Sequence, residues 1–360
     1  VLMNHSCFLD LKITAAVLYP RPFNIVCTSD GFVGKAGLMR ALGCIPTRKF
    51  QPDTALVRDM LYAVKKLKSS ILLYPEASYS FDGTATPLPE SLGKCVKALG
   101  VPIVLLRTCG AFARDPLYNG LQNRRVNVSA ELRYLLSPEE AAEKSADEIN
   151  ALLADEFSFD NFRWQQENGI VEPFRADGLN RVLYKCPHCG TEGETEGRGT
   201  ELICRDCGVR YRLTELGALE CENAEAKFTH VPDWYAWERA CVREELEQGS
   251  YLLDAPVSIC VMVNFRQICR VGEGRLRHDV NGFRLTGCGG KLDFTQKPET
   301  SYSLYADYFW YELGDMICIG DRDVLYYCFP QGKGDVVAKT RLAAEELYKL
   351  KRAERAAKNG

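Results

Sequence analysis

The segment Asn4-His5-Ser6-Cys7-Phe8-Leu9-Asp10 carries an imidazole and a carboxylate five positions apart. The residues Val1-Leu2-Met3 before it are typical of the end of a buried strand, and Phe8 to Leu18 is typical of a mostly apolar helix. A His at a strand end and an Asp at the next helix start can face each other across the connecting loop. The carboxylate then orients the imidazole, whose second nitrogen can take a proton from a hydroxyl.

Three interpretations of this segment remain open at the level of sequence. No serine completes a triad, so the activated hydroxyl could belong to a substrate. Ser6 and Cys7 are neighbouring nucleophiles that could instead form a covalent intermediate. In the alternative without chemistry, His5 ends a strand and Asp10 caps a helix.

A second candidate site consists of two CxxC pairs, Cys186-Pro-His-Cys189 and Cys204-Arg-Asp-Cys207, separated by 14 residues. Each pair is followed by a glycine that lets the backbone turn tightly. Two such turns aim four thiolates at one point, which predicts a closed, structural zinc site with Cys186, Cys189, Cys204 and Cys207 as ligands. A redox pair is the weaker alternative, and His188 is expected to be a surface residue.

Composition limits the kinds of partner. The chain has 360 residues, 46% of them hydrophobic, enough for two or three domains. Residues 1–136 contain 17 Lys and Arg against 9 Asp and Glu, a net charge of +8, so the remainder carries −11 of the total of −3. A basic first domain suits an anionic substrate or lipid surface, although a chance excess on an ordinary surface fits too. The segment from Arg181 to Glu215 contains six basic and six acidic residues, a balance that argues against nucleic-acid binding.

The sequence also bears on compartment. No run of about 20 apolar residues and no secretory signal are visible. Twelve of the 16 Cys are scattered singly, as in proteins of a reducing cytosol. The chain begins inside a strand without an initiating Met, so we expect missing upstream residues, a membrane anchor among the candidates.

Periodicity predicts the elements that position these residues. Residues 1–136 alternate helical and strand patterns, typical of an α/β domain with a mostly parallel sheet. A single helix is expected from Pro138 to about Phe157, a long strand from Val257 to Cys269, a hairpin turn at Asn281-Gly282, and a terminal helix from Val336. The predicted domains are an α/β domain at 1–168, a zinc ribbon at 182–216, a helical linker at 217–250 and a mainly-β domain at 251–356. In element order alone, the last resembles a pleckstrin-homology-like (GRAM-type) domain.

Three further segments follow the first in the predicted α/β domain: Gly43 to Lys49, Tyr74 to Ser80, and Val101 to Val104. Because the ends of parallel strands converge on one crevice, cations and hydroxyls in these segments would hold an anionic head group beside the base. In this order, the four segments resemble the four sequence blocks of the glycerolipid acyltransferase family, which includes the 1-acylglycerol-3-phosphate acyltransferases. The resemblance covers roughly residues 1–135.

The block N-H-x-x-x-x-D is matched in full by Asn4, His5 and Asp10. The block G-x-I-F-I-D-R is matched at Gly43 and Ile45, with Lys49 at its final Arg. V-P-I-V-P is matched through Val104, and F-P-E-G-T-R-S appears as Tyr74-Pro75-Glu76-Ala77-Ser78-Tyr79-Ser80. Here Tyr79 replaces an Arg that helps to hold the phosphate of the acceptor in the family, and a Tyr hydroxyl cannot replace that bidentate grip.

The resemblance implies acyl transfer from acyl-CoA or acyl-carrier protein to a hydroxyl of a lysophospholipid or glycerol-phosphate-type acceptor. His5 would act as base and Asp10 as its orienter, and the acceptor would be held by Arg48, Lys49, Glu76, Ser78 and Ser80. This implies phospholipid biosynthesis or remodelling in the cytoplasm, peripherally at the inner face of the membrane, with the ribbon or last domain contacting a membrane or protein partner. The alternative is a non-catalytic zinc-ribbon protein that binds a partner or membrane lipid.

Overall fold

The computed structural model describes residues 1–50, 53–120, 122, 124–171, 175–263, 267–321, 323–332 and 335–359. In the first part of the chain, helices and short strands alternate, as the sequence pattern predicts. The elements are β1 (Leu2–Met3), α1 (Asp10–Leu18), β2 (Phe23–Thr28), α2 (Ala36–Ala41), β3 (Cys44–Thr47), α3 (Thr54–Lys65), β4 (Ser70–Leu72), α4 (Leu92–Leu99), β5 (Ile103–Cys109), α5 (Ala111–Arg114), β6 (Ser129–Leu136), α6 (Pro138–Glu143), α7 (Ala146–Phe157) and α8 (Asn161–Glu167).

These strands form a mostly parallel sheet, as predicted. β2 pairs in parallel with β3 and β4, and β5 pairs in parallel with β1 and antiparallel with β6. Leu73 joins the two groups, since its N–H donates to the carbonyl of Val1 at 2.9 Å and its carbonyl accepts from the N–H of Met3 at 3.1 Å. The carboxyl ends of β1, β3, β4 and β5 therefore open on the same edge of the sheet.

The single helix expected from Pro138 to Phe157 is wrong, because the structure divides this segment into α6 and α7. Ser145 takes an extended conformation and begins a second capping box with Glu148, whose N–H donates to the Ser145 hydroxyl at 3.2 Å. An N-cap residue has non-helical φ and ψ, so the first helix must end before it.

The ribbon follows as an antiparallel sheet in the order β10-β9-β8-β7, and a helix packs on it. Tyr211 and Leu213 of this sheet share a buried cluster with Trp234 of the helix, and the Trp234 indole donates to the carbonyl of Lys185 at 3.0 Å. The elements are β7 (Thr195–Arg198), β8 (Glu201–Cys204), β9 (Arg210–Leu213), β10 (Leu219–Cys221) and α9 (Val231–Glu247).

The last part of the chain is a seven-stranded antiparallel sheet in the order β14-β13-β12-β11-β17-β16-β15, followed by a long helix. This agrees with the predicted mainly-β domain, while the pleckstrin-homology likeness stays a prediction. The elements are β11 (Leu253–Val263), β12 (Gln267–Asp279), β13 (Gly282–Gly287), β14 (Leu292–Gln296), β15 (Tyr305–Trp310), β16 (Gly314–Gly320), β17 (Val324–Pro330) and α10 (Val337–Asn359).

The single strand expected from Val257 to Cys269 is wrong. Its two ends belong to β11 and β12, which pair antiparallel with Val263 opposite Gln267. Residues 264–266 between them lie outside the described residues. The polar residues Asn264, Arg266 and Gln267 interrupt the apolar run, but no Gly or Pro accompanies them, so the sequence gives only a weak signal for the chain reversal.

The parts of the chain share their buried interior. One apolar cluster contains Phe81 and Phe112 of the first part, Trp234 of α9, Tyr308 of β15 and Leu342 of α10. A second cluster packs Phe50, just after β3, against Tyr305 and Trp310 of β15. Strand β15 therefore lies beside the edge of the first sheet where β1 and β3 end. Among the described helices, none combines the length and apolar character needed to cross a membrane.

Candidate functional site

The loop between β1 and α1 brings His5 and Asp10 together. The Nδ1 atom of His5 lies 3.0 Å from Oδ2 of Asp10, and the backbone N–H groups of Ser6 and Cys7 donate to the same oxygen at 2.8 and 3.1 Å. The Asp10 side chain is 1% exposed and that of His5 is 16% exposed. A carboxylate fixed by two backbone donors thus holds the imidazole in one orientation, with its other nitrogen available for a proton.

The loop is fastened to two neighbouring strand ends. The Asn4 amide donates to the carbonyl of Thr108 in β5 at 3.1 Å and accepts its N–H at 2.8 Å. The His5 N–H donates to Oε2 of Glu76, which follows β4, at 2.8 Å, and the Thr86 N–H donates to Oε1 at 2.7 Å. Burial raises the pKa of Glu76 to about 7, and these N–H donors oppose the rise. Glu76 therefore positions the His5 backbone.

The His5 ring lies between two tyrosine rings, with centroid distances of 4.1 Å to Tyr74 and 4.0 Å to Tyr79. Burial lowers the pKa of His5, its contact with Asp10 opposes this, and the positive charge of Lys49 adds to the lowering. A lowered pKa means that the imidazole releases its proton at a lower pH than usual. His5 is therefore neutral near pH 7, which is the form that a base needs.

The remaining residues of the Tyr74–Ser80 segment form a turn. The Ser78 hydroxyl donates to the carbonyl of Tyr79 at 3.3 Å, and the Ser80 hydroxyl donates to the carbonyl of Thr84 at 2.6 Å. Ala77 has a φ of 54°, a left-handed conformation that glycine adopts more readily than alanine. Unlike His5, the side chains of Glu76, Ser78 and Ser80 do not line the cavity described next, and their part in acceptor binding stays a prediction.

His5 opens into a cavity of about 1080 Å³ that Arg48 and Lys49 also line. This volume lies slightly above the range of about 300–1000 Å³ that is usual for ligand pockets. The walls are mainly apolar and rich in aromatic rings, so the cavity suits a long hydrocarbon chain. The aromatic residues that line it are Phe8, Phe50, Tyr74, Tyr79, Tyr302, Tyr305, Tyr308, Phe309, Trp310, Tyr311 and Tyr348.

One wall of this cavity comes from β15, more than 250 positions after Lys49 in sequence. The Lys49 ammonium lies 4.1 Å from the centroid of the Tyr305 ring, and the Tyr305 hydroxyl donates to Oδ2 of Asp30 at 2.6 Å. Asp307 lines the same cavity. Sequence reasoning missed these three residues, since Asp30 belongs to no motif and β15 carries only an alternating strand pattern.

The four paired cysteines form a second cluster. The sulfur of Cys186 lies 3.7 Å from that of Cys207, and the sulfur of Cys189 lies 3.7 Å from that of Cys204. All four sulfurs lie within 4.8 Å of one another. Thiolates bound to zinc at about 2.3 Å in a tetrahedron are about 3.8 Å apart, so this set can hold a metal ion such as zinc. Half-buried His188 is not part of this set, and its Nε2 lies 2.9 Å from the Tyr211 hydroxyl.

Comparisons with known proteins add little to this geometry. No family model matches the chain, and no curated protein matches it. Among solved structures, the 1-acyl-sn-glycerophosphate (LPA) acyltransferase PlsC from Thermotoga maritima matches with 15% identity and a TM-score of 0.33. The match covers 46% of this chain and 65% of PlsC, just under two thirds of that protein. Such a low TM-score does not establish a shared fold, so a functional assignment depends on the site itself.

We expect the pKa of His5 to lie below the ordinary value of about 6.5. Asp10→Asn should lower it further, because the partner that stabilises the imidazolium is lost. Lys49→Met should raise it, because a repelling cation is removed. An NMR titration of the four His residues, with the His5 signal assigned by its absence in His5→Gln, measures all three values. A pKa at the ordinary value that neither substitution moves would contradict the described environment.

We expect the purified protein to contain about one zinc ion per chain, since four thiolates complete one tetrahedral site. Cys204→Ser should remove the metal and unfold the ribbon, because metal binding supplies most of the folding free energy of so small a module. Cys221→Ser, on β10 of the same sheet but outside the cluster, is the matched control and should keep its zinc. Elemental analysis measures the zinc content of each protein, and thiol titration measures how many cysteines are released from the metal. Full zinc content in Cys204→Ser would count against the site.

Proposed function

We propose that the protein is an acyltransferase that moves an acyl group from a thioester, acyl-CoA or acyl-carrier protein, to a hydroxyl of a lipid acceptor. The observation that carries the proposal is His5, which lines a large apolar cavity and is held from behind by the buried carboxylate of Asp10. A neutral, oriented imidazole provides a base for a hydroxyl, and the cavity provides room for an acyl chain.

In the proposed reaction, Nε2 of His5 takes the proton of the acceptor hydroxyl as its oxygen attacks the thioester carbonyl carbon. Asp10 stabilises the imidazolium that forms, through the contact to Nδ1. The tetrahedral intermediate then collapses, the carbon–sulfur bond breaks, and the leaving thiolate takes the proton from His5. The products are an ester and a free thiol, and the enzyme returns to its starting state.

The environments of the neighbouring nucleophiles favour direct transfer over a covalent intermediate. Cys7 is buried, and burial raises the pKa of its thiol, so little of the reactive thiolate forms. Ser6 is buried as well, and its hydroxyl oxygen accepts a hydrogen bond from the Asn4 amide at 3.3 Å. The base is therefore proposed to act on the acceptor.

The family resemblance supports a lysophospholipid or glycerol-phosphate-type acceptor in phospholipid biosynthesis or remodelling. Arg48 and Lys49 line the cavity and favour placing the acceptor head group there. Tyr79 stands where the family has a phosphate-binding Arg and gives no bidentate grip on a phosphate. The function proposed from the site is therefore acyl transfer to a hydroxyl-bearing lipid.

Exposed apolar side chains support a location of the protein at a membrane surface. The scattered single cysteines support the cytoplasmic face of that membrane. Phe8 and Leu11 line the cavity and are 56% and 48% exposed, while Tyr311 and Leu313 on the turn after β15 are 57% and 65% exposed. Lipids could enter the cavity from a membrane in contact with these side chains. In this proposal the last domain forms one wall of the cavity. The zinc-bound ribbon or the last domain would also bind a membrane or protein partner.

His5→Ala and Asp10→Asn should each lower the turnover of acyl-CoA with a panel of lysolipids by about 10²–10⁴-fold, the usual cost of losing a positioned base. The measurement is the release of free thiol, with the acylated lipid identified by mass spectrometry. Cys7→Ala is the informative comparison, because a direct transfer does not need its thiol and turnover should stay within a few fold.

Near-normal turnover in His5→Ala would refute the proposed role of the base. Loss of activity in Cys7→Ala, with an acyl group trapped on the wild-type protein, would favour a covalent route. No thiol release with any lysolipid or with a monoacylglycerol would favour the alternative of a non-catalytic protein that binds a partner or membrane lipid.

A further inference from the structure

The part of the cavity around His5 and Lys49, where the acceptor would bind, is formed by two parts of the chain that are distant in sequence. Lys49 and His5 line the same cavity, and the β15 wall contacts Lys49 through the ring of Tyr305. Tyr305 and Asp307 are two positions apart on this strand, and both line the cavity. Strand side chains repeat every second residue, so the two project to the same face. The mainly-β domain therefore helps to determine what can bind next to the base.

The carboxylates around Lys49 belong to the protein itself. Asp30 accepts a hydrogen bond from the hydroxyl of Tyr305 at 2.6 Å, and the ammonium of Lys49 lies over the ring of the same tyrosine. Asp307 is 8% exposed, and its Oδ1 accepts the N–H of Tyr308 at 3.0 Å. Two buried carboxylates and the face of an aromatic ring thus stabilise the positive charge of Lys49.

Burial and the neighbouring charges act in opposite directions on the pKa values of Lys49 and Asp307. Burial lowers the pKa of Lys49, while Asp307 and Asp30 raise it, and Arg341 on α10 adds a smaller repulsion. Burial raises the pKa of Asp307 to about 7, and Lys49 opposes the rise. Arg341 itself pairs with Glu345 at 3.3 Å. Above pH 7 Asp307 is ionised, and its charge offsets part of the Lys49 charge that the sequence analysis assigned to an anionic head group.

The rest of the cavity offers no excess of positive charge in the described part of the chain. Arg352 is paired with Glu90 at 2.6 Å, and Arg48 already has an interaction within the protein. Carboxylates outnumber Lys and Arg side chains along the walls: Asp53, Glu90, Asp147, Glu299, Asp307 and Glu312 against Arg48, Lys49, Lys94 and Arg352. A phosphate monoester carries up to two negative charges and would meet repulsion here instead of a matched site.

Building on the proposed acyl transfer, we infer that the acceptor is a lipid with an uncharged polyol or sugar head group, and that Asp307 excludes phosphate monoesters. The carboxylate of Asp307 and the hydroxyls of tyrosines that line the cavity can hydrogen-bond to the hydroxyls of such a head group, and the aromatic walls can cover its carbons. Asp307 acts as the repulsive element that separates the two acceptor classes, as specificity often requires. Lys49 then offsets part of the negative charge of Asp30 and Asp307.

The test compares a monoacylglycerol with lysophosphatidic acid of the same acyl chain, using the full-length protein and acyl-CoA at about pH 8, above the pKa of Asp307. In wild type, kcat/KM for the neutral acceptor should exceed that for the phosphate by about tenfold or more. Asp307→Asn should reduce this preference by about tenfold, because a repelling charge is lost at nearly constant shape. Asp293→Asn, an exposed carboxylate on β14, is the control and should leave the preference unchanged.

A wild-type preference for lysophosphatidic acid would overturn the inference while leaving acyl transfer intact, and this comparison needs no variant. A preference that Asp307→Asn does not change would overturn the role of Asp307. Binding gives a readout that does not depend on turnover: glycerol 3-phosphate, titrated by calorimetry, should bind Asp307→Asn at millimolar concentration and not wild type. If neither acceptor is acylated but this binding difference holds, acyl transfer fails and the charge-based exclusion stands. Equal binding to both proteins would overturn the exclusion.

Discussion

The candidate site depends on one carboxylate oxygen. Oδ2 of Asp10 accepts the N–H groups of Ser6 and Cys7 and contacts the His5 imidazole, so a single buried atom sets both the loop and the ring. The loop has little freedom to move because Asn4 is bound to β5 and the His5 backbone is bound to Glu76. A base held in this way needs no reorganisation when a hydroxyl reaches it.

The surroundings of this contact come from the whole chain. The first sheet supplies the loop and Lys49, while β15 of the mainly-β domain supplies the opposite wall through Tyr305 and Asp307. α10 is connected to the same region, since Arg341 donates to the carbonyl of Tyr79, whose ring packs on His5. The last domain is therefore part of the cavity, which is why the nature of the acceptor cannot be judged from the first 136 residues alone.

Sequence reasoning predicted the features that depend on local spacing. The separation of His5 and Asp10, the order of strand ends and the two CxxC turns are short-range patterns, and the structure brings each set together. The division at Ser145 was also readable, because its Ser-x-x-Glu pattern repeats that at Ser137. The contact between Lys49 and β15 was not readable, since it depends on how two domains pack. Nor could the sequence tell that the Ser80 hydroxyl bonds within its own turn.

The most direct test of the account is a single-turnover reaction of wild-type protein with radiolabelled acyl-CoA and a mixture of lysolipids that includes a monoacylglycerol. If His5 activates the acceptor, acylated lipid and free thiol appear together in equal amounts, and no label remains on the protein after denaturation. Label that stays on the protein before it reaches lipid would contradict direct transfer. A thioester that remains intact with every acceptor would contradict the enzymatic account as a whole.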